Sequence, residues 1–155
     1  MVNLTTGSEV FEVAMEMEQV GGDFYKALAR GSDDVEVRKF CAQTAKEEEA
    51  HYKTFQRLRE LESQENKLSD KALFELQQLG RSIVQPSPTA VQQVAIGGSI
   101  KDALEMAMNM EKNSIRFYQV LLDHQPNLAE AMKRIIQEEQ SHLAKLQKLA
   151  QQFGY

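Results

Sequence analysis

Apolar side chains recur along this chain in alternating steps of three and four, the spacing of a helix with one buried face. The first such seam runs Phe11, Ala14, Glu18, Gly21, Tyr25, Leu28 and predicts a helix from about Ser8 to Arg30. Thr6 and Glu9 are spaced for a capping box at its start, and Gly31 is a natural stop. The turn Gly31-Ser32-Asp33-Asp34 is short, so the next helix must fold back antiparallel. That second seam runs Val37, Cys41, Thr44, Glu48, His51, Phe55, Leu58 and predicts a helix to about Glu62. A third helix is predicted from Ser99, with Asp102 three residues on, to about His124; its seam is Leu104, Ala107, Glu111, Ser114, Tyr118, Leu121. A fourth follows Pro126, with Asn127 and Glu130 spaced as its cap, and reaches about Gln152 along Leu128, Met132, Ile135, Glu139, His142, Leu146, Leu149.

Between Ser63 and Gly98 the pattern changes. Ser69 to Leu79 reads as one short amphipathic helix with Leu73, Leu76 and Leu79 on one side. Pro86-Ser87-Pro88 then breaks any helix, and Gly97-Gly98 closes the connector. A link this long needs a job. A helix of roughly 28 residues spans about 42 Å, so returning the chain to the opposite end of a bundle requires such a crossover.

The two halves repeat. Ala14-Met15-Glu16-Met17-Glu18 through Phe24-Tyr25 matches Ala107-Met108-Asn109-Met110-Glu111 through Phe117-Tyr118. The second and fourth seams match position for position. The expected fold is therefore all-α: one domain over residues 1–155, made of helical hairpins at 8–62 and 99–152 joined by a crossover at 63–98. Neither hairpin could bury its face alone.

Composition narrows the classes. A chain of 155 residues, 42% hydrophobic and 26% charged, has the balance of a soluble domain with a real core. Its net charge of −5 argues against nucleic-acid partners. No apolar run of about 18 residues suggests a membrane helix, and no basic segment followed by an apolar run marks a signal peptide. A cytoplasmic protein is the expectation. One cysteine, Cys41, allows no internal disulfide.

Each seam carries a glutamate where leucine would be ordinary: Glu18, Glu48, Glu111 and Glu139. His51 and His142 follow one turn after Glu48 and Glu139. Four carboxylates inside a bundle repel and lose hydration, at several kcal/mol per uncompensated ion. Protonation relieves part of this; two divalent cations relieve all of it. One glutamate from each of two helices plus Glu-x-x-His from each of the other two is the ligand set of di-iron and di-manganese carboxylate bundles. The oxygen-rich set suits iron or manganese better than zinc. Two iron ions are the expected cofactor, with manganese or zinc as alternatives.

Other residues leave alternatives open. Tyr25 and Tyr118, two turns beyond Glu18 and Glu111, either pack the core or donate hydrogen bonds to the ligand carboxylates. Gly21 and Gly22 mean either close helix packing or room beside Glu18 for a small ligand. Glu16, Glu47, Glu49 and Glu138 fall off the seams and read as solvated. His124 reads as exposed at a helix end, Cys41 as buried packing, and Met15, Met17, Met106, Met108 and Met110 as core filler.

On Met17-Glu18 with Phe24-Tyr25, Glu48-Glu49-Ala50-His51, Met110-Glu111 with Phe117-Tyr118, and Glu138-Glu139-Gln140-Ser141-His142, the chain resembles the rubrerythrin-like branch of the ferritin-like superfamily. The resemblance implies a ferritin-like four-helix bundle with a di-iron centre at Glu18, Glu48, His51, Glu111, Glu139 and His142, and a homodimer or larger homo-oligomer. Hairpin exchange through the crossover is one form a dimer could take. Rubrerythrin also carries a rubredoxin domain with iron-binding cysteines, which these residues lack; electrons would come from a separate donor protein. It also has a further glutamate one turn after its third-helix ligand, where this chain has Ser114.

Three functions are consistent with this reading. One is an oxidoreductase in which peroxide or oxygen is reduced as ferrous iron becomes ferric. Another is a non-enzymatic iron-binding or iron-delivery module. The third is a scaffold that keeps its glutamates without metal.

Overall fold

The computed structural model describes residues 7–61, 68–82 and 87–155. Among the described residues six α-helices follow one another: α1 Gly7–Gly31, α2 Val35–Glu60, α3 Asp70–Ser82, α4 Pro88–Gly97, α5 Ile100–His124 and α6 Ala129–Gln152, with a 3-10 turn at Pro126–Leu128 before the last. Among the described residues, no helix is long and apolar enough to cross a membrane.

The reversal between α1 and α2 is built from local polar chemistry. Asp34 accepts the Val37 N–H at 2.9 Å and caps α2. Arg38 reaches back and donates to the Ser32 and Asp33 carbonyls, both at 3.1 Å. Ser99 caps α5 in the same way, accepting the Asp102 N–H at 3.1 Å.

Four details differ from the expectations. Pro86 lies outside the described residues, and Ser87-Pro88 starts a helix where a break was expected. Ser87 accepts the Ala90 N–H at 3.1 Å as the cap of α4, and Pro88 occupies the first turn, where a missing N–H costs nothing. Asn127 does not cap α6, because it lies inside the 3-10 turn and Leu128 takes the cap position with no side-chain bond. His124 is not an exposed helix end: its Nε2 meets Glu75 Oε2 of α3 at 2.7 Å, pinning the crossover to α5. Helix α2 ends at Glu60, not Glu62. Thr6 of the expected α1 cap lies outside the described residues, as does Glu62.

The core falls into two apolar layers. In one, Phe11 and Ala14 from the start of α1 meet Phe55 near the end of α2, Leu121 near the end of α5, Met132 near the start of α6, and Leu76 of α3. In the other, Phe24 and Leu28 from the end of α1 meet Val37 and Cys41 at the start of α2, Leu104 at the start of α5, Leu146 and Leu149 at the end of α6, and Val91 and Ala95 of α4. So α1 and α5 run antiparallel, and the chain leaves α2 at one end and enters α5 at the other. The crossover makes that journey, with α3 packed on α5 and α4 on α1. Each fully buried Leu or Phe in these layers contributes about 1.5–3 kcal/mol, which offsets the cost of what lies between them.

Candidate metal centre

Between the layers sit Glu18, Glu48, Glu111 and Glu139, each 0–4% exposed, with His51 and His142 at 3% and 1%. They form two groups whose facing donor atoms lie within 4.8 Å of one another: Glu18, Glu48, His51 and Glu139, and Glu48, Glu111, Glu139 and His142. Glu48 and Glu139 belong to both. His51 Nδ1 lies 2.9 Å from Glu139 Oε1 and 3.3 Å from Glu18 Oε2. His142 Nδ1 lies 3.3 Å from Glu48 Oε1, 3.4 Å from Glu139 Oε2 and 3.7 Å from Glu111 Oε2. Donor atoms that share a cation at bond lengths of about 2.1 Å sit about 3–3.5 Å apart.

Six buried side-chain atoms among the described residues have no hydrogen-bond partner: Glu18 Oε2, Glu48 Oε1, both Glu139 oxygens, and Nδ1 of His51 and His142. Buried polar atoms are nearly always satisfied. Here every exception belongs to one cluster, so the residues present fit a pair of cations.

The outward atoms of the cluster are satisfied, and crosswise. Tyr25 of α1 donates its hydroxyl to Glu111 Oε1 of α5, and Tyr118 of α5 donates to Glu18 Oε1 of α1. Of the two readings left open for these tyrosines, the structure has both: each ring is buried in the core and each hydroxyl holds a carboxylate. The imidazoles are tied likewise. His51 Nε2 of α2 meets Glu138 Oε2 of α6 at 2.6 Å, and His142 Nε2 of α6 meets Glu47 Oε2 of α2 at 2.5 Å. With Nε2 as donor, each Nδ1 faces the carboxylates. Glu47 and Glu138 were expected to be solvated. Their side chains are only 31% and 36% exposed, because the adjacent helix brings a histidine beneath each. The sequence signal was their position directly before Glu48 and Glu139 in both copies. Glu16 and Glu49 are exposed as expected.

Among the carboxylates and imidazoles themselves, protons balance the charge. Burial pushes the Glu18 and Glu48 carboxyls above the usual range, reinforced by Glu139 and by Glu18 respectively. Burial, then Glu139, raises Glu111 to about 8. Burial and the Glu48 charge push Glu139 the same way, but the nearby Glu111 carboxyl and the His142 and His51 imidazoles favour its charged form and hold it below the usual value. Burial opposes a charge on His51, yet Glu139 and Glu18 outweigh it and raise the imidazole to about 12. His142 rises for the same reason, through Glu111, Glu139 and Glu48. Burial first, then neighbouring carboxylates, keeps both tyrosines protonated as donors.

The paired glycines of α1 face α2. A Cβ on Gly21 would stand 3.0 Å from Glu48 Oε2, so the bare backbone makes room for that carboxylate. A Cβ on Gly22 would meet only Glu48 Cβ at 3.6 Å and the Ala45 carbonyl at 4.0 Å.

Comparison with known proteins agrees with this geometry. The model of the Rubrerythrin family matches residues 9–150. No curated protein matches the sequence. Among solved structures, a Thermotoga maritima protein described as a ferritin-like diiron-carboxylate protein superposes with a TM-score of 0.76 at 23% identity, over 96% of this chain and 97% of the other. It shares the ferritin-like helical fold. The buried carboxylate–histidine site fits two iron ions, and the chain belongs to the rubrerythrin family.

Proposed function

We propose that this chain is a di-iron oxidoreductase in which Glu18, Glu48, His51, Glu111, Glu139 and His142 hold the two metals. Glu48 and Glu139 would serve both metals, Glu18 with His51 would complete one site, and Glu111 with His142 would complete the other. The single observation that supports this best is the coincidence of the unpartnered buried atoms with these side chains. A ferrous pair would supply the electrons that reduce peroxide or dioxygen, becoming ferric.

The chain's own groups orient the donors. Tyr25 and Tyr118 each take one oxygen of an end carboxylate and leave the other facing inward. Glu47 and Glu138 hold the imidazoles with Nδ1 inward, which sets ring orientation and raises ligand basicity. The apolar layers above and below exclude water from the carboxylates. Re-reduction would need electrons from a separate donor. Ser114 stands where rubrerythrin has its further glutamate, so oxidation of ferrous iron by peroxide and by dioxygen should be compared directly.

The test begins with elemental analysis of freshly purified protein. Two irons per chain are expected, with oxidation of the anaerobically loaded ferrous protein by peroxide far faster than that of free ferrous ion in the same buffer. Two irons that come and go reversibly, with oxidation no faster than in free solution, would replace this reading with an iron-binding or delivery module. A site filled only by zinc would remove redox chemistry altogether.

A further inference from the structure

The two hairpins match around the carboxylates but not on their outer faces. A groove of about 320 Å³ lies between α1 and α2, lined by Glu18, Gly22, Lys26, Ala45, Tyr52 and Lys53 among others. Glu18 also belongs to the first group of facing donors. One side chain is thus shared by the groove wall and the centre.

The repeat shows why the groove is on this side. Aligning Glu18 with Glu111 places Gly22 opposite Ile115; aligning Glu48 with Glu139 places Ala45 opposite Ile136. In the second hairpin, Ile136 is buried and Ile115 packs against the same apolar cluster. Two branched side chains thus stand where the first hairpin has a glycine and an alanine. Gly22 is not required by crowding, since an added Cβ would make only ordinary contacts. A mid-helix glycine is nevertheless less favourable than alanine. Its effect at this position is to leave the groove unfilled.

The rim chooses among visitors. Lys53 Nζ donates to Glu49 at 2.8 Å, and Lys26 stands on the facing helix. Two ammonium groups against one rim carboxylate disfavour a bare divalent cation. They suit a small species that is uncharged or singly negative.

We infer that the groove between α1 and α2 is the port through which a small oxygen species, peroxide or dioxygen, reaches the metal pair beside Glu18. This rests on the di-metal reading above. Gly22 and Ala45 set its width, and Lys26 and Lys53 set the charge at its mouth.

Azide serves as the probe, as a small singly negative ion whose binding to ferric protein is read by absorbance without turnover. Metal content is measured on every variant first. Gly22→Ile copies the second hairpin into the groove, and Gly22→Ala is its mild counterpart. Gly22→Ile with wild-type metal content should take up azide roughly tenfold more slowly or worse, as when entry waits on a conformational change, while Gly22→Ala stays close to wild type. Should Gly22→Ile fail to fold or load, Lys26→Trp covers the exposed mouth without entering the bundle and should slow azide likewise. Wild-type azide rates in a metal-replete Gly22→Ile or Lys26→Trp protein would overturn the port while leaving the metal centre intact. A wild-type chain that binds no metal would instead overturn the di-metal reading and the port with it.

Discussion

The hairpins α1–α2 and α5–α6 are two solutions to one problem, and they agree only where chemistry constrains them. Both carry a glutamate, a tyrosine two turns on, a Glu-x-x-His and a glutamate preceding it. Both cross-tie to the other through those groups. Away from the cluster they diverge. Cys41 in one stands against Met132 in the other, and Gly22 and Ala45 against Ile115 and Ile136. Cys41 and Met132 both pack as core, whereas Gly22 and Ala45 line a groove and Ile115 and Ile136 pack into the apolar core. The repeated positions therefore mark the shared centre, and the unrepeated ones mark where a single hairpin has its own task.

That comparison is broken most severely by removing a shared carboxylate. Glu48→Ala or Glu139→Ala should abolish binding of both metals, whereas Glu18→Ala or Glu111→Ala should leave one site partly competent. Metal atoms per chain, counted after loading and desalting, decide this. Equal losses from all four variants would contradict the sharing of Glu48 and Glu139.

Next in size are the carboxylates behind the histidines. Glu47→Gln and Glu138→Gln should each weaken metal affinity by about 10- to 100-fold, measured by competition with a chelator. If the halves are equivalent the two effects should be similar. A change within error of zero in either would return that glutamate to a surface role.

The tyrosine ties sharpen the same symmetry. Tyr25→Phe and Tyr118→Phe each leave a buried carboxylate oxygen unpartnered, so each should destabilise the metal-free protein by about 1–3 kcal/mol. Chemical denaturation measures both. A large loss in one and none in the other would show that the halves share sequence without sharing energetics.

Metal-free and loaded protein should respond to pH in opposite directions. The Glu111 carboxyl rises from an ordinary 4.5 to about 8 on folding. Its contribution to stability is thus fully present below about 4.5 and is lost as pH rises through about 8, with a magnitude on the order of a few kcal/mol. The raised carboxyls of Glu18 and Glu48 act in the same direction. Metal must displace these protons, so the gain in melting temperature on loading should grow over the interval in which the metal-free protein weakens. Thermal scans of both forms between pH 5 and about 9 test this. A metal-free melting temperature that climbs with pH would contradict it.

The smallest expected effect concerns Cys41. Burial pushes its thiol to about 12, so almost no thiolate exists near neutral pH. A thiol reagent at pH 8 should label denatured protein quickly and native protein negligibly. Fast native labelling would mean that this end of α2 opens readily.

Much of this protein is written along its seams. Helix placement, the reversal at Ser32 to Asp34, the need for a crossover and the six acidic and histidine positions all follow from period and repeat. Each is a property of one helix or of two copies compared with each other. What only tertiary structure decided are relations across helices: which glutamates are shared, that each tyrosine reaches the opposite half, that Glu47 and Glu138 lie over histidines, and that one hairpin is open where its twin is filled. Residues 86 to 100 positions apart in the chain make the tyrosine and histidine ties. A seam tells a residue which way to face; what it faces is settled by how the other helices pack. The helix at Pro88 was missed for a local reason: the same ring that ends a helix in its interior fits freely in a first turn.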